Sequence, residues 1–266
     1  MTKREPLEKE KKKIAREGTE EKVEESMEKI ELEEIKEEKE LTEEEKRKKE
    51  LEEKLASWQP KTELGRLVKE GKIKSIDEIL EKNKKIFEPE IVDALLDLKV
   101  ELIKIGQAKG KFGGGKRRIW RQTQKKSGEG NIPKFSCLAV VGNMDGYLGI
   151  GMGKAKETLP AREKAIRKAK LNIFKVVRGC GSFDCICNEE HSIPLAVEGK
   201  CSSVRVKLLP APRGTGLVCD DEIKKVFRLA GIKDIYIKSF GQTRRKYNHV
   251  KAVIEALKKI REYVNK

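Results

Sequence analysis

The stretch FSCLAVVGNMDGYLGIGMGKA, residues 135–155, predicts a β-hairpin from which the rest of the fold can be worked out. FSCLAVVG is a short apolar run of the kind found in buried strands, and LGIGMGKA predicts a second strand. NMDGY, between them, consists largely of the residue types that form tight turns. A helix is predicted over 157–173, because Ala161, Ala165 and Ala169 recur at four-residue spacing.

The segments on both sides extend this pattern. Upstream, between residues 59 and 98, TELGRLVKEGKI, SIDEILEKN and EPEIVDALLDL repeat apolar residues at helical spacing. Downstream, SSVRVKLLP alternates like a strand, DDEIKKVFRLAG is a helix ended by Gly231, DIYIKSF is a strand and HVKAVIEALKKIREYV is a final helix. The sequence therefore predicts an α+β fold of two small modules with a cysteine-rich segment between them.

Charge is unevenly distributed along the 266 residues, which carry 61 Lys and Arg against 45 Asp and Glu, a net charge of +16. Residues 1–58 hold 16 basic and 21 acidic side chains, so the rest of the chain has a net charge of +21. Such a field suits a phosphate backbone, whose counterions are released when cations replace them. No apolar run of membrane-spanning length and no secretory pattern occurs, so a membrane partner is not predicted.

Residues 1–58 are dominated by Glu and Lys. Thr42 followed by Glu45 is a capping-box signal, and Glu43 and Arg47 form one of several favourable i,i+4 pairs. The apolar residues keep no seven-residue register, so a coiled coil is not supported. We interpret this segment as a charged arm that is helical or disordered.

Residues 109–134, KGKFGGGKRRIWRQTQKKSGEGNIPK, form a basic stretch in which SGEGN predicts the turn of a hairpin. It holds nine cations opposed only by Glu129, a costly self-repulsion unless a polyanion neutralises it. Phe112 and Trp120 offer flat faces on which bases could stack. A solvated loop is the alternative, but the charge and the aromatic residues favour contact with nucleic acid.

GIGMGKA, residues 149–155, looks like a nucleotide-binding loop because it follows a predicted strand and precedes a helix. The dinucleotide-binding fingerprint needs glycine where Lys154 stands, and the P-loop needs Gly at Leu148 and Ser or Thr at Ala155. Both patterns fail at residues that carry the chemistry. We expect these glycines instead to relieve crowding against RNA backbone or a neighbouring strand.

CGSFDCICNEEH, residues 180–191, places Cys180, Cys185, Cys187 and His191 in the spacing C-x4-C-x-C-x3-H. Three thiolates and one imidazole complete a tetrahedral zinc site with no open position, which predicts a structural metal. The absence of a secretory pattern favours a reducing compartment, and hence a metal over a disulfide. The alternative is a loop of reduced cysteines without a metal.

The remaining cysteines and histidine suggest no catalytic group. Ordinary burial explains Cys137, Cys201 and Cys219, and His249 is interpreted as a cap or surface residue. The zinc-deaminase pattern is absent because no C-x-x-C occurs. We therefore do not predict an enzyme.

Several of these segments together resemble the universal small-subunit ribosomal protein S5 family, in its archaeal and eukaryotic branch. The resemblance rests on FSCLAVVGNMDGYLGIGMGKAKE, KAKLNIFKVVRGCGS, SSVRVKLLPAPRGTGL and RLAGIKDIYIKSFG. It implies a double-stranded-RNA-binding-like sheet-and-helix domain followed by a ribosomal β-α-β domain. The expected divisions are a charged arm at 1–58, a helical segment at 59–97, the RNA-binding-like domain at 98–178, a cysteine-rich zinc linker at 179–194 and the C-terminal domain at 195–266.

The resemblance also implies a function. The chain is expected to be a structural constituent of the cytoplasmic small ribosomal subunit that binds rRNA near the channel through which mRNA enters. Ribosomal protein S4 and mRNA are expected neighbours there, and support of decoding accuracy is the expected role. A free double-stranded-RNA-binding regulator acting off the ribosome is the alternative. The side chains expected at rRNA are Lys111, Lys116, Arg117, Arg118, Trp120, Arg121, Lys125, Lys126, Lys154, Lys156, Arg162, Arg167, Lys168, Arg213, Arg244 and Arg245.

Overall fold

The computed structural model describes residues 53, 55–82, 84–108, 117–187 and 189–264. Residues 59–266 make one compact unit, and residues 1–58 are a separate one. Most of the predicted charged arm, together with Lys111, Phe112 and Lys116, lies outside the described residues.

Within residues 59–98, apart from the undescribed residue 83, three short helices precede the first sheet, as the sequence predicts: α1 (Glu63–Lys69), α2 (Asp77–Glu81) and α3 (Pro89–Leu95). Thr62 caps α1 by accepting a hydrogen bond from the Gly65 amide at 3.1 Å. Pro89 begins α3 at a position where its missing N–H costs nothing. The Lys170 ammonium donates to the Asp93 carboxylate at 2.6 Å, so α3 is tied to the helix that follows the first sheet's central strands.

The first sheet is antiparallel and has the order β1-β3-β4-β5, with β2 paired to the far end of β3. The turn NMDGY joins β3 to β4, and one long helix, α4, covers the sheet. The elements are β1 (Lys99–Ile103), β2 (Arg121–Ser127), β3 (Gly130–Gly142), β4 (Tyr147–Ala155), α4 (Thr158–Leu171) and β5 (Ile173–Lys175).

The second sheet has the order β6-β7-β9-β8, in which β8 and β9 are parallel and the other pairs antiparallel. Its strands are β6 (Val197–Cys201), β7 (Val204–Pro210), β8 (Leu217–Val218) and β9 (Ile235–Phe240), and its helices are α5 (Asp221–Ala230) and α6 (Lys246–Val264). The parallel pair with α5 between its strands is the predicted β-α-β unit. The α+β prediction is therefore confirmed.

Some element bounds differ from the prediction. Helix α4 ends at Leu171 rather than at 173, because Asn172 leaves the helical conformation and its amide side chain donates to the Lys168 carbonyl at 2.9 Å. Ile173 is buried in β5 instead. The interpretation of His249 as a cap or surface residue is wrong: it is buried within α6, with Nε2 2.8 Å from Ser239 Oγ.

Helix α4 rests on β4 through glycine and alanine. A Cβ atom added to Gly149, Gly151 or Gly153 would overlap the helix backbone at Ala169, Ala165 and Ala161, respectively. The expectation that these glycines lie against RNA or a neighbouring strand is therefore wrong, because the crowding they relieve comes from a helix.

The two sheets share one hydrophobic core. Leu138 of β3, Val206 of β7 and Phe227 of α5 belong to the same buried cluster. Polar contacts reinforce this packing, since the Met144 amide donates to the Leu229 carbonyl at 2.9 Å and the Glu222 carboxylate accepts from the Lys104 amide at 2.8 Å. Helix α5 therefore fixes the second sheet against the first.

Gly151→Ala should lower the free energy of unfolding by about 3 kcal/mol, because the new methyl group meets backbone atoms of α4 that cannot turn aside. Gly128→Ala is the matched control, since nothing lies within 4 Å of an added Cβ there, and its expected effect is below about 0.5 kcal/mol. Urea unfolding checks both values, and equal effects would contradict the close packing of α4 on β4.

His249 should make the fold less stable in mild acid. Burial lowers the pKa of its imidazole below the ordinary 6.5; the Asp220 carboxylate partly opposes this effect, and the Lys246 ammonium adds to it. As the pH falls through about 6.5, the unfolded chain binds a proton that the folded chain does not, so stability is lost. Thermal unfolding between about pH 7 and 5 should show a shallower pH dependence for His249→Gln than for the wild type. Identical slopes would contradict this account.

Candidate metal centre and nucleic-acid interface

Backbone hydrogen bonds join the two ends of the cysteine-rich segment at residues 179–194, called the cysteine-rich turn below. Gly179 and Ser192 exchange two N–H···O bonds of 3.0 Å, and the Gly181 amide donates to the Ile193 carbonyl at 3.1 Å. Cys180 and His191 are the immediate chain neighbours of Gly179 and Ser192. The first and last members of the predicted ligand set are therefore brought together at the same point.

The structure brings all four predicted ligands together, with one donor atom from each of Cys180, Cys185, Cys187 and His191 lying within 4.8 Å of the others. The Sγ atoms of Cys185 and Cys187 are 2.9 Å apart, and His191 Nε2 lies 3.6 Å and 3.1 Å from them, respectively. All three cysteines are free thiols, and a disulfide would require about 2.05 Å. The cluster is therefore a set of unlinked donors.

This donor set fits a tetrahedral metal ion. Metal–sulfur bonds of about 2.3 Å and metal–nitrogen bonds of about 2.0 Å place neighbouring ligand atoms about 3.5–3.8 Å apart. The Cys185–His191 pair already has this separation, and the two shorter pairs would need to move apart by roughly 1 Å or less. Hydrogen bonding, first of all with the Cys187 thiol, lowers the pKa of Cys185 to about 6, and the same bond raises the pKa of Cys187 to about 11. One thiolate is thus already favoured at neutral pH, and thiolate is the form that binds metal.

Asp234 fixes the orientation of His191. Its Oδ2 atom lies 2.9 Å from His191 Nδ1, so Nε2 is directed at the thiols, and its Oδ1 atom accepts from the Gly216 amide at 2.7 Å. Both side chains are almost fully buried. A carboxylate on the far nitrogen is the usual support of a metal-binding histidine. Our sequence interpretation missed Asp234, because no local pattern connects residues 43 positions apart.

Two arginines hold the outer part of the turn. Arg178 pairs with Glu190 at 3.2 Å and with Asp145 of the β3–β4 turn at 2.6 Å. Arg213, which was predicted at rRNA, pairs with Glu189 at 2.9 Å. The cysteine-rich turn is thereby joined to both sheets through side chains.

The basic hairpin is an exposed β-ribbon. Residues 121–134 of β2 and β3 are exposed on both faces, as the hairpin prediction requires of a projecting arm. Directly opposite residues of an antiparallel pair share a face. The register of Arg121 with Ser136, Thr123 with Lys134 and Lys125 with Ile132 therefore collects three cations on one face, called the cationic face below.

The other face of the ribbon is mostly uncharged. It carries Gln122, Gln124 and Asn131 and is called the amide face below. Lys126 also lies on the amide face, because it pairs with Asn131. Lys154 of β4 pairs with Ser136 and so adds a fourth exposed cation to the cationic face.

The cations of α4 form a separate surface. Arg162, Arg167 and Lys168 are exposed on the outside of the helix, and Lys156 is exposed just before it. Because α4 packs against the glycines of β4, it covers the sheet face opposite to Lys154. The structure therefore does not bring all the predicted strand and helix cations onto one surface.

The remaining members of the predicted set have mixed environments. Trp120 is half-buried and packs against the small hydrophobic cluster around Cys137 and Ala161, so much of its ring contributes to the core. Arg117 is half-buried and pairs with Ala108 in an isolated bridge. Arg118, Arg244 and Arg245 are exposed.

The cysteines outside the turn are explained by burial, as predicted. Cys137 is fully buried and donates to the Ala161 carbonyl at 3.2 Å. Burial raises the pKa of Cys137 and of Cys219 to about 11, so both stay protonated. Cys201 is half-buried.

Comparisons with known proteins agree with this fold. The family model "Ribosomal protein S5, N-terminal domain" matches residues 119–177, and "Ribosomal protein S5, C-terminal domain" matches residues 199–265. The chain is 58% identical to the small ribosomal subunit protein uS5 of Nanoarchaeum equitans over 77% of this chain and 89% of that protein. It is 50% identical to uS5 of Thermofilum pendens over 77% of this chain and 95% of that protein.

These matches define the chain as a structural, non-enzymatic protein of the small ribosomal subunit, which binds rRNA, functions in translation and is located in the cytoplasm with the ribosome. It belongs to the ribosomal protein S5 family, in the archaeal and eukaryotic branch predicted from the sequence. Nothing in the matches favours the off-ribosome regulator. In the part of the chain that the structure describes, no helix is both long and apolar enough to cross a membrane.

Proposed function

We propose that the chain binds rRNA mainly through the cationic face of the β2–β3 ribbon. The observation that carries this proposal is the register that places Arg121, Lys125, Lys134 and Lys154 on one side of an exposed arm. The exposed cations of α4, Arg118, Arg244 and Arg245 are proposed as further contacts, on separate surfaces of the protein.

Binding of a polyanion should stabilise the ribbon. A two-stranded hairpin is marginally stable in water unless it packs on something. Among the described strands, β3 is the one partner of β2, and all seven residues of β2 are exposed. Phosphates would neutralise the repelling cations and release counterions, while the shape of the ribbon selects where it fits.

We propose that the site of binding is near the channel through which mRNA enters, beside ribosomal protein S4, and that the rigid contact supports decoding accuracy. The support is the resemblance that the sequence shows to the S5 family. The module bounds 59–97, 98–178, 179–194 and 195–266 are proposed on the same basis.

We further propose that Cys180, Cys185, Cys187 and His191 hold a structural zinc ion, with Asp234 as the positioning residue for His191. The support is the donor chemistry and the spacing of the four ligand atoms. When bound, zinc would cross-link the turn and remove the repulsion between thiolates. Because α5 already joins the two sheets, the expected effect of the metal is to order the turn.

Lys125→Gln and Lys126→Gln form a matched pair, since the two lysines are neighbours in β2 with side chains on opposite faces. Lys125→Gln should weaken binding to small-subunit rRNA and reduce the slope of log K against log salt by about 0.7–0.9, because one phosphate contact is lost. Lys126→Gln should change the slope by less than half as much. Filter binding across a KCl series measures both, and equal slopes would contradict the face assignment.

The purified chain should contain one zinc ion per molecule by elemental analysis. Cys187→Ser should lose it, because three ligands bind weakly, whereas Cys201→Ser should keep it, because Cys201 lies outside the cluster. Asp234→Asn should weaken zinc binding about 10–100-fold in a chelator competition. Chelation should also lower the melting temperature. A metal-free chain whose melting curve ignores chelator would overturn the zinc proposal.

A further inference from the structure

The cysteine-rich turn presents two apolar side chains to solvent. Phe183 and Ile186 have relative exposures of 106% and 107%, whereas Leu159, the next most exposed large apolar residue among those described, reaches 68%. Both lie inside the metal-ligand sequence, on either side of Cys185. Full exposure of two such residues is unfavourable in water and marks a contact site when it occurs on an ordered element.

The turn is well anchored around these residues. The Gly179–Ser192 bridge joins its two ends, and the buried His191–Asp234 pair fixes one ligand. The Cys185 amide also donates a hydrogen bond to the Ser182 carbonyl at 3.5 Å. The two exposed side chains therefore project from a short loop held at both ends. Docking such a loop costs little conformational entropy.

The charge of the turn differs from that of the rest of the protein. Residues 179–195 contain Asp184, Glu189 and Glu190 but no Lys or Arg, although residues 59–266 have a net charge of +21. Arg178 and Arg213 partly offset Glu190 and Glu189 from outside the turn. An acidic, apolar surface repels phosphate, so rRNA is a poor partner here, whereas it suits a basic polypeptide.

We propose that Phe183 and Ile186 form a docking point for a basic segment of another small-subunit protein that carries apolar anchors of its own. The inference rests on the membership of the small subunit established above and does not depend on zinc being the metal. On the assembled particle, the ribbon would face RNA and the cysteine-rich turn would face protein.

The test places a photo-crosslinking phenylalanine analogue at position 183 of the full-length chain, in small subunits where it replaces the wild-type copy. Irradiation should join it to a Lys- and Arg-rich peptide of a different ribosomal protein, identified by mass spectrometry. The same analogue at Phe87, which is 66% exposed outside the turn, is the control and should not yield that peptide. Cross-links to rRNA, to another part of this chain or to a second copy, or no cross-link at all, would overturn the proposal.

A paired variant separates lost docking from a damaged turn. Phe183→Ser combined with Ile186→Ser should keep the metal content of the wild type and the rRNA affinity of the isolated chain. It should also weaken retention in small subunits during high-salt washing by about tenfold, because two apolar contacts are lost. Retention equal to that of the wild type would overturn the proposal.

Discussion

The close approach of α4 to β4 is the constraint on which the first half of the structure depends. Glycines at every second position of the strand meet alanines at every fourth position of the helix, so backbone rests on backbone without intervening side chains. The second half uses the same arrangement where Gly199 of β6 meets Ala252 and Ala256 of α6. In each case the helix covers one face of its sheet.

The face of the first sheet that α4 leaves uncovered, with Leu138 and Val140, packs on the second module through α5. Helix α5 lies on the same face of the second sheet as α6, because the other face of that sheet, with Lys200, Arg205 and Lys238, is exposed. Because the helix buries Val226, Phe227 and Leu229 in one continuous core, the two sheets are fixed to each other without help from the cysteine-rich segment. That segment is held between them by ion pairs of Arg178 and Arg213 and by the His191–Asp234 contact. The arrangement places a compact acidic turn with exposed apolar side chains at the junction of the two modules.

Charge and exposure divide the surface into regions of different chemistry. The ribbon has exposed cations on one face and amides on the other, which suits contact with the phosphates of RNA. The cysteine-rich turn has no cations of its own and exposes apolar side chains. A ribosomal protein must contact both RNA and its protein neighbours, and these two elements differ in the ways that such contacts demand.

The sequence by itself determined the features that depend on short-range periodicity: the strand–turn–strand of residues 135–155, the helix after it, the ribbon turn and the ligand spacing of the cysteine-rich turn. Alternation and helical spacing act over a few residues, so they can be recognised in a single chain. Only the tertiary structure decided that the glycines of β4 meet a helix, that Lys154 and the cations of α4 face opposite ways, and that Asp234 supports His191. Those contacts join segments far apart in the chain, and they follow from how complementary surfaces pack, which no local pattern encodes.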